Sequence, residues 1–356
     1  MSRTGTIPHT PWGHVAAVGA ALAAVLTVVA LAFLWPSVTA APHDLPVAVA
    51  GPPAAAEPFV QGIEAQAPGV FDVVPAADRA AAARLVDTRE AYGAVVLGPE
   101  PEVLTASAAS PMVAQQLATL ATTLQAQLAA ATGEPVTVTV TDVVPLGAGD
   151  PRGIVLGAAT FPLVLGGMLG GIGIALTVVG VRRRVAAVLG YAALGGLAIT
   201  AVLQSWWGVL GGSFWVTSGV VALTILAVAS VIVGFTSLVG RRGLAIGPVL
   251  FLLVANPIAA AAMPWQMLPA PWGAIGQWLP PGAGATLLRD TSYFPAADTT
   301  ALWLTLTAWA VLGLTLALLG HLRDTGAATR AALAEADAEV EVAAMDADRT
   351  PQVVTA

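Results

Sequence analysis

No lysine occurs anywhere in this sequence, no cysteine either, and Asp, Glu, Lys and Arg together make up only 10% of it. Each shortage removes a class of function. The phosphate-binding loop GxxxxGK[ST] needs its lysine to reach the phosphates, so the chain is not its own ATPase. Without cysteine there is no disulfide, and the redox compartment stays unmarked. The charge is missing in blocks: 56 residues between Arg184 and Arg241, and 46 between Arg242 and Arg289, contain no Asp, Glu, Lys, Arg or His. Proton- and sodium-driven carriers keep ionisable groups inside the membrane to carry the coupling charge, which argues against a self-contained antiporter.

What the chain has in excess is apolar. Of its 356 residues 57% are hydrophobic, and the mean hydropathy of +0.81 is far from that of a water-soluble domain. Six segments, residues 14–35, 154–181, 185–203, 214–239, 244–263 and 301–319, each approach or exceed the ~20 residues that cross a bilayer. The expected fold class is a polytopic α-helical membrane protein with six transmembrane helices. The first segment is longer than the roughly 7–15 apolar residues of a signal peptide and follows a single fixed charge, Arg3, so it reads as an uncleaved span.

All 14 basic residues are arginine. Arg182, Arg183 and Arg184 fall between the second and third spans, and Arg241 and Arg242 between the fourth and fifth. Short arginine-rich loops stay cytoplasmic. Both termini are therefore expected inside the plasma membrane and residues 37–152 outside; Arg3 and Arg323 agree. With this topology Trp35, Trp206, Trp207, Trp215, Trp265, Trp272, Trp278 and Trp303 gather near the outer interface as an aromatic belt.

The chain divides into residues 1–36 (N-terminus and first span), 37–152 (an extracytoplasmic domain), 153–320 (five spans) and 321–356 (an Ala-rich acidic tail, helical in part or disordered). In the outer segment short β-rich runs alternate with helical patterns, as βαβ units require. Strands are expected at 45–51, 70–74, 93–97 and 136–144, with a hairpin through GPEP into EVLTAS. Helices are expected at 77–91 and 110–131, the second capped by Ser110 ahead of Pro111. The domain is thus a small α/β fold. It holds twelve Asp and Glu against four Arg and so offers no surface for nucleic acid. Its acids are scattered, His43 has no second ligand nearby, and Ser110 lies in no GxSxG elbow. No enzyme, cofactor or metal is expected.

Two features of the membrane part stand out. The second span carries Pro162 and the small-xxx-small pairs Gly166/Gly170 and Gly167/Gly171, a face that another helix can approach closely, either within the chain or from a second copy. The fifth contains Asn256-Pro257, which costs a backbone donor well inside the span. After it comes MPWQMLPAPWGAIGQWLPPG, uncharged, broken by Pro264, Pro269, Pro271, Pro280 and Pro281 and carrying Trp265, Trp272 and Trp278. Its pieces are too short to span. Within residues 264–300 it forms either a re-entrant hairpin dipping from outside, with Gly273 and Gly276 packed against the last span, or a helix lying flat in the headgroups on Trp272 and Trp278.

One span, an outer domain, then five spans with a broken segment before the last resembles the ABC type 2 permease architecture. Within it, DPRG (150–153), FPLVLGG (161–167), NPIAAAAMPWQMLP (256–269) and LPPGAGATLLRD (279–290) look like the YhgE/Pip (phage infection protein) branch and its actinobacterial relatives. The resemblance implies a dimeric or paired export permease for an amphiphilic or envelope substrate, with the re-entrant helices as an outer gate and a separate ATPase subunit. A shorter outer domain and few residues before the first span depart from the larger members. The other class that the sequence leaves open is a non-transporting envelope scaffold, receptor or secretion accessory.

Overall fold

The computed structural model describes residues 10–320. Arg3, Arg323 and the acidic tail lie outside the described residues. Within them, five helices are long and apolar enough to cross a membrane: Trp12–Pro36, Ile154–Thr177, Val181–Trp206, Phe214–Ala245 and Thr300–Gly320. The protein is a helical membrane protein. The first helix, α1 (Trp12–Thr39), makes the case most directly: Leu22, Leu26 and Leu31 are 64%, 69% and 63% exposed. A helix apolar all round and covered by protein only near its C-terminal end is stable only where lipid replaces water.

Residues 45–142 form the α/β domain. Its elements are β1 (Leu45–Ala50), α2 (Pro53–Gln66), β2 (Phe71–Ala76), α3 (Arg79–Asp87), β3 (Gly93–Val96), β4 (Glu102–Thr105), α4 (Pro111–Thr132) and β5 (Thr139–Asp142). The sheet order is β2-β1-β3-β4-β5. β1 lies parallel to β2 and β3, in register Val47↔Val73 and Val49↔Val95, while β3 and β4 form the antiparallel hairpin. The interior strand β1 is apolar along its whole length and buried along most of it, as a parallel strand covered on both faces is. Asp78 caps α3 through Ala81 N–H, and Ser110 caps α4 through Val113 N–H.

The membrane part is built around α7 (Phe214–Val239), the most buried of the long helices. α5 (Ile154–Thr177) and α6 (Val181–Thr200) pack on one side of it. α10 (Thr300–Gly320) packs along it through a close approach of Gly313 to Ser230. α6 runs on to Trp206 with a wider winding, where Trp207 N–H reaches Val202 O.

The expected fifth span, 244–263, does not form a membrane-length helix. Its helical part ends at Ala255 after eight wide-wound residues from Pro248. Asn256 N–H still bonds Phe251 O, but Pro257 has no N–H to offer and the chain turns. Short helices follow: α8 (Trp272–Gln277) and α9 (Pro280–Tyr293).

Candidate functional site

The pieces after Pro257 assemble into a hairpin of α8 and α9 whose ends rest on the α/β domain. Met267 and Phe294, at either end, are 2% and 1% exposed within the same apolar core as Leu45, Val95 and Leu104. The tip is elsewhere. Trp309 Nε1, nine residues into α10, donates to Trp278 O at 2.8 Å. At 1.5 Å per residue that is about 14 Å along the helix from Thr300. α9 starts at Pro280 and Pro281, both buried, passes Thr224 of α7 at Gly284, and returns to the α/β domain at Tyr293. There the Tyr293 hydroxyl donates to Val209 O and accepts from Gly147 N–H.

Two glycines make this packing possible. A Cβ on Gly276 would fall on the carbonyl of Ile258, and one on Gly273 on the carbonyl of Trp265. The partner of α8 is therefore the strand of chain just before it, not the last span as the sequence reading has it. Gln277 fastens the same junction, donating to Ala259 O and accepting from Thr286 Oγ1. Asn256 contributes main-chain bonds only, accepting from Ala259 N–H as well as donating to Phe251. Trp272 meets Trp35 of α1 edge-on with ring centroids 6.3 Å apart. Trp278 keeps its ring exposed. Pro264 opens the turn at Trp265–Met267.

Charge enters the hairpin at one place, the α/β-domain end of α9. Arg89 Nη1 donates to Asp290 Oδ1 at 2.6 Å, and both side chains are largely buried. Arg89 sits just past α3 with φ 62°, a left-handed conformation that a residue with a Cβ adopts at a cost of roughly 1 kcal/mol. Its guanidinium also lies 5.1 Å from the Phe294 ring centroid and 5.7 Å from that of Tyr92. Arg289 follows, 7% exposed, donating Nη2 to Ala261 O while its Nε has no acceptor. Burial raises the Tyr92 phenol above its usual range. Tyr92 OH bonds Gln266 Oε1, a further tie from domain to hairpin. Arg89 takes the Asp290 carboxylate, and Arg289 beside it has no ion-pair partner among the described residues, so the cluster carries one surplus positive charge. The sequence reading missed this cluster. Its signal was the pair Arg289-Asp290 directly after 46 residues without charge.

The glycines of α5 are occupied within the chain. Gly167 and Gly171 press on α7, where added Cβ atoms would stand 3.0 Å from Val228 Cβ and 2.9 Å from Ala229 O. Gly170 lies under the Tyr191 ring, and Gly166 O accepts from the Tyr191 hydroxyl at 2.7 Å. Pro162 is on the exposed side of the same helix. Gly171→Leu is therefore expected to destabilise the monomer itself by roughly 1–3 kcal/mol or more. The check is thermal unfolding in detergent at a concentration where mass measurement finds no oligomer; an unchanged midpoint would return the face to an intermolecular role.

At the opposite end of the helices the arginines differ from one another. Arg184 is a clamp: it donates to Ala175 O and Val178 O at the end of α5 and to Ser237 Oγ of α7. Arg182, Arg183, Arg241 and Arg242 are exposed. No family model, curated protein or solved structure matches this chain.

Proposed function

We propose that the chain is the permease subunit of an exporter resembling the ABC type 2 architecture, moving an amphiphilic or envelope substrate and energised by a separate ATPase chain. In this reading residues 248–262 complete a sixth, broken crossing. The α/β domain is extracytoplasmic, both termini face the cytoplasm, and α8 with α9 is a re-entrant gate in the plasma membrane. The observation that carries the reading is the Trp309–Trp278 bond. A tip about 14 Å along the last span lies near half the ~30 Å hydrocarbon thickness, deeper than a helix resting in the headgroups reaches. Irregular backbone survives at such depth only inside protein, and here Pro280 and Pro281 are buried and the Trp278 carbonyl has its donor.

The experiment is capture of the tagged full chain from its own membrane. A co-purifying ATPase that carries the phosphate-loop lysine, and whose hydrolysis rises when reconstituted with this chain, is the expected result. No such partner, together with no stimulation by any ATPase encoded beside the gene, would overturn the permease reading in favour of a scaffold acting through the α/β domain.

Orientation has its own test, and the absence of native cysteine makes it clean. Ala55 in α2 and Val179 between α5 and α6 are both exposed. On intact cells an impermeant maleimide is expected to label Ala55→Cys and spare Val179→Cys. The reverse pattern would invert the topology.

A further inference from the structure

Beside the charged cluster lies a cavity of about 420 Å³ between the start of α4, the start of α5 and the hairpin. Its charged lining is Arg289 inside and Arg152, which is exposed; no carboxylate lines it. Most of the remaining wall is apolar, including Met112, Leu146, Leu156 and Ala262.

We propose that this cavity binds the phosphate headgroup of an anionic amphiphile, with Arg289 as the inner ligand, Arg152 as the outer one, and the apolar wall against the first carbons of its chain. Three observations carry it. First, Arg289 lines the cavity while more than nine-tenths buried, its guanidinium bonded to Ala261 O and to no carboxylate among the described residues, and a buried cation costs free energy until an anion meets it. Second, the two nearby carboxylates are spent: Asp290 is held by Arg89. Asp150, 4% exposed, accepts from Ile154 and Leu156 N–H at 2.9 and 2.8 Å, so it also consumes the free start of α5. The positive charge at the site is that of the arginines and not of a helix end.

Third, position selects the class of anion. Ile154, which lines the cavity and is 60% exposed, is the first residue of a membrane-length helix. The opening therefore lies where that helix enters the bilayer, at headgroup level. A soluble phosphate would gain nothing from the apolar wall, whereas a lipid fills both parts. The site does not depend on transport: it holds for a permease or a scaffold.

The test uses the purified full chain in neutral detergent, titrated with phosphatidylglycerol or with zwitterionic phosphatidylcholine and read by native mass spectrometry. The expected preference for phosphatidylglycerol is about tenfold in affinity. Arg289→Gln is expected to abolish it. Because that buried variant can fail to fold, two substitutions at exposed positions decide independently: Arg152→Gln should reduce the preference severalfold, and Ala158→Phe, at the cavity wall and uncharged, should reduce retention of the anionic lipid. Equal retention of both lipids by the unaltered chain, or an unchanged preference in Arg152→Gln together with unchanged retention of the anionic lipid in Ala158→Phe, would overturn the proposal. Displacement of phosphatidylglycerol by millimolar inorganic phosphate would also overturn it, assigning the cavity to a soluble oxyanion.

Discussion

Asp290→Asn is expected to be the most damaging single substitution in the cluster beneath the α/β domain, more damaging than Arg89→Ala. The reasoning is a charge count. Asp290 is bonded to Arg89 and lies in the field of Arg289, so its neutralisation leaves two buried guanidiniums with no carboxylate between them. Removing one partner of a buried pair costs about 3–5 kcal/mol because the remaining charge is uncompensated. Arg89→Ala deletes a charge too, but the adjacent Arg289 still supplies a positive neighbour for Asp290. Its loss should fall nearer the lower end of that range and include the packing of Arg89 on Phe294. Thermal unfolding of both variants in the same detergent gives the order. If Arg89→Ala proves worse, Arg289 does not act on Asp290 and the count of one surplus positive charge is wrong. The pair Arg89→Met with Asp290→Leu should recover much of the loss, as apolar replacements of buried ion pairs do.

Gly276→Ala is expected to open the hairpin while leaving the long helices folded. Even a methyl group there falls on the Ile258 carbonyl, and backbone on both sides must move, at roughly 1–3 kcal/mol or more. The lack of native cysteine supplies the probe. Ala283 in α9 and Ala227 in α7 are both fully buried. In the Gly276→Ala background a single cysteine at 283 should react with maleimide at least about tenfold faster, the equilibrium change expected from roughly 1.4 kcal/mol of local opening. A cysteine at 227 should react as before. Faster reaction at both positions would mean general unfolding, and no change at 283 would mean that α8 is not what holds the hairpin closed.

Much of the architecture could be read from the residues because it is set by local chemistry. The apolar LPVAVA reads as a strand and Ser110-Pro111 as a helix start from their neighbours alone, and five of the six apolar runs of membrane length form membrane-length helices. The reading failed where a distant partner decides. Residues 77–91 carry a helical composition throughout, yet α3 stops at Asp87 and Arg89 takes a left-handed backbone. The return for that local cost is Asp290, 201 residues away, which no local pattern announces. Likewise Gly273 and Gly276 advertise a close approach but not what approaches: the backbone carbonyls of Trp265 and Ile258, with no side-chain pattern of their own. The interruption at Asn256-Pro257 was visible as a difficulty. That it leaves a helical piece of only eight residues, Pro248–Ala255, rather than a kinked full crossing, is seen only in the structure, where Phe251 and Ala255 are buried in one cluster with Val164 and Val228.

The separation of Arg89 and Asp290 along the chain also fixes an order of assembly. At about 5–20 residues per second, the 201 residues between them take roughly 10–40 s to synthesise, far longer than a small mixed domain needs to fold. The α/β domain can therefore be a finished surface, with the Arg89 side chain already presented, when α9 is made. The hairpin is then a late arrival that closes onto a preformed dock, and a ribosome stalled before residue 290 would hold a protein whose long central helices exist but whose domain still waits for its counter-ion.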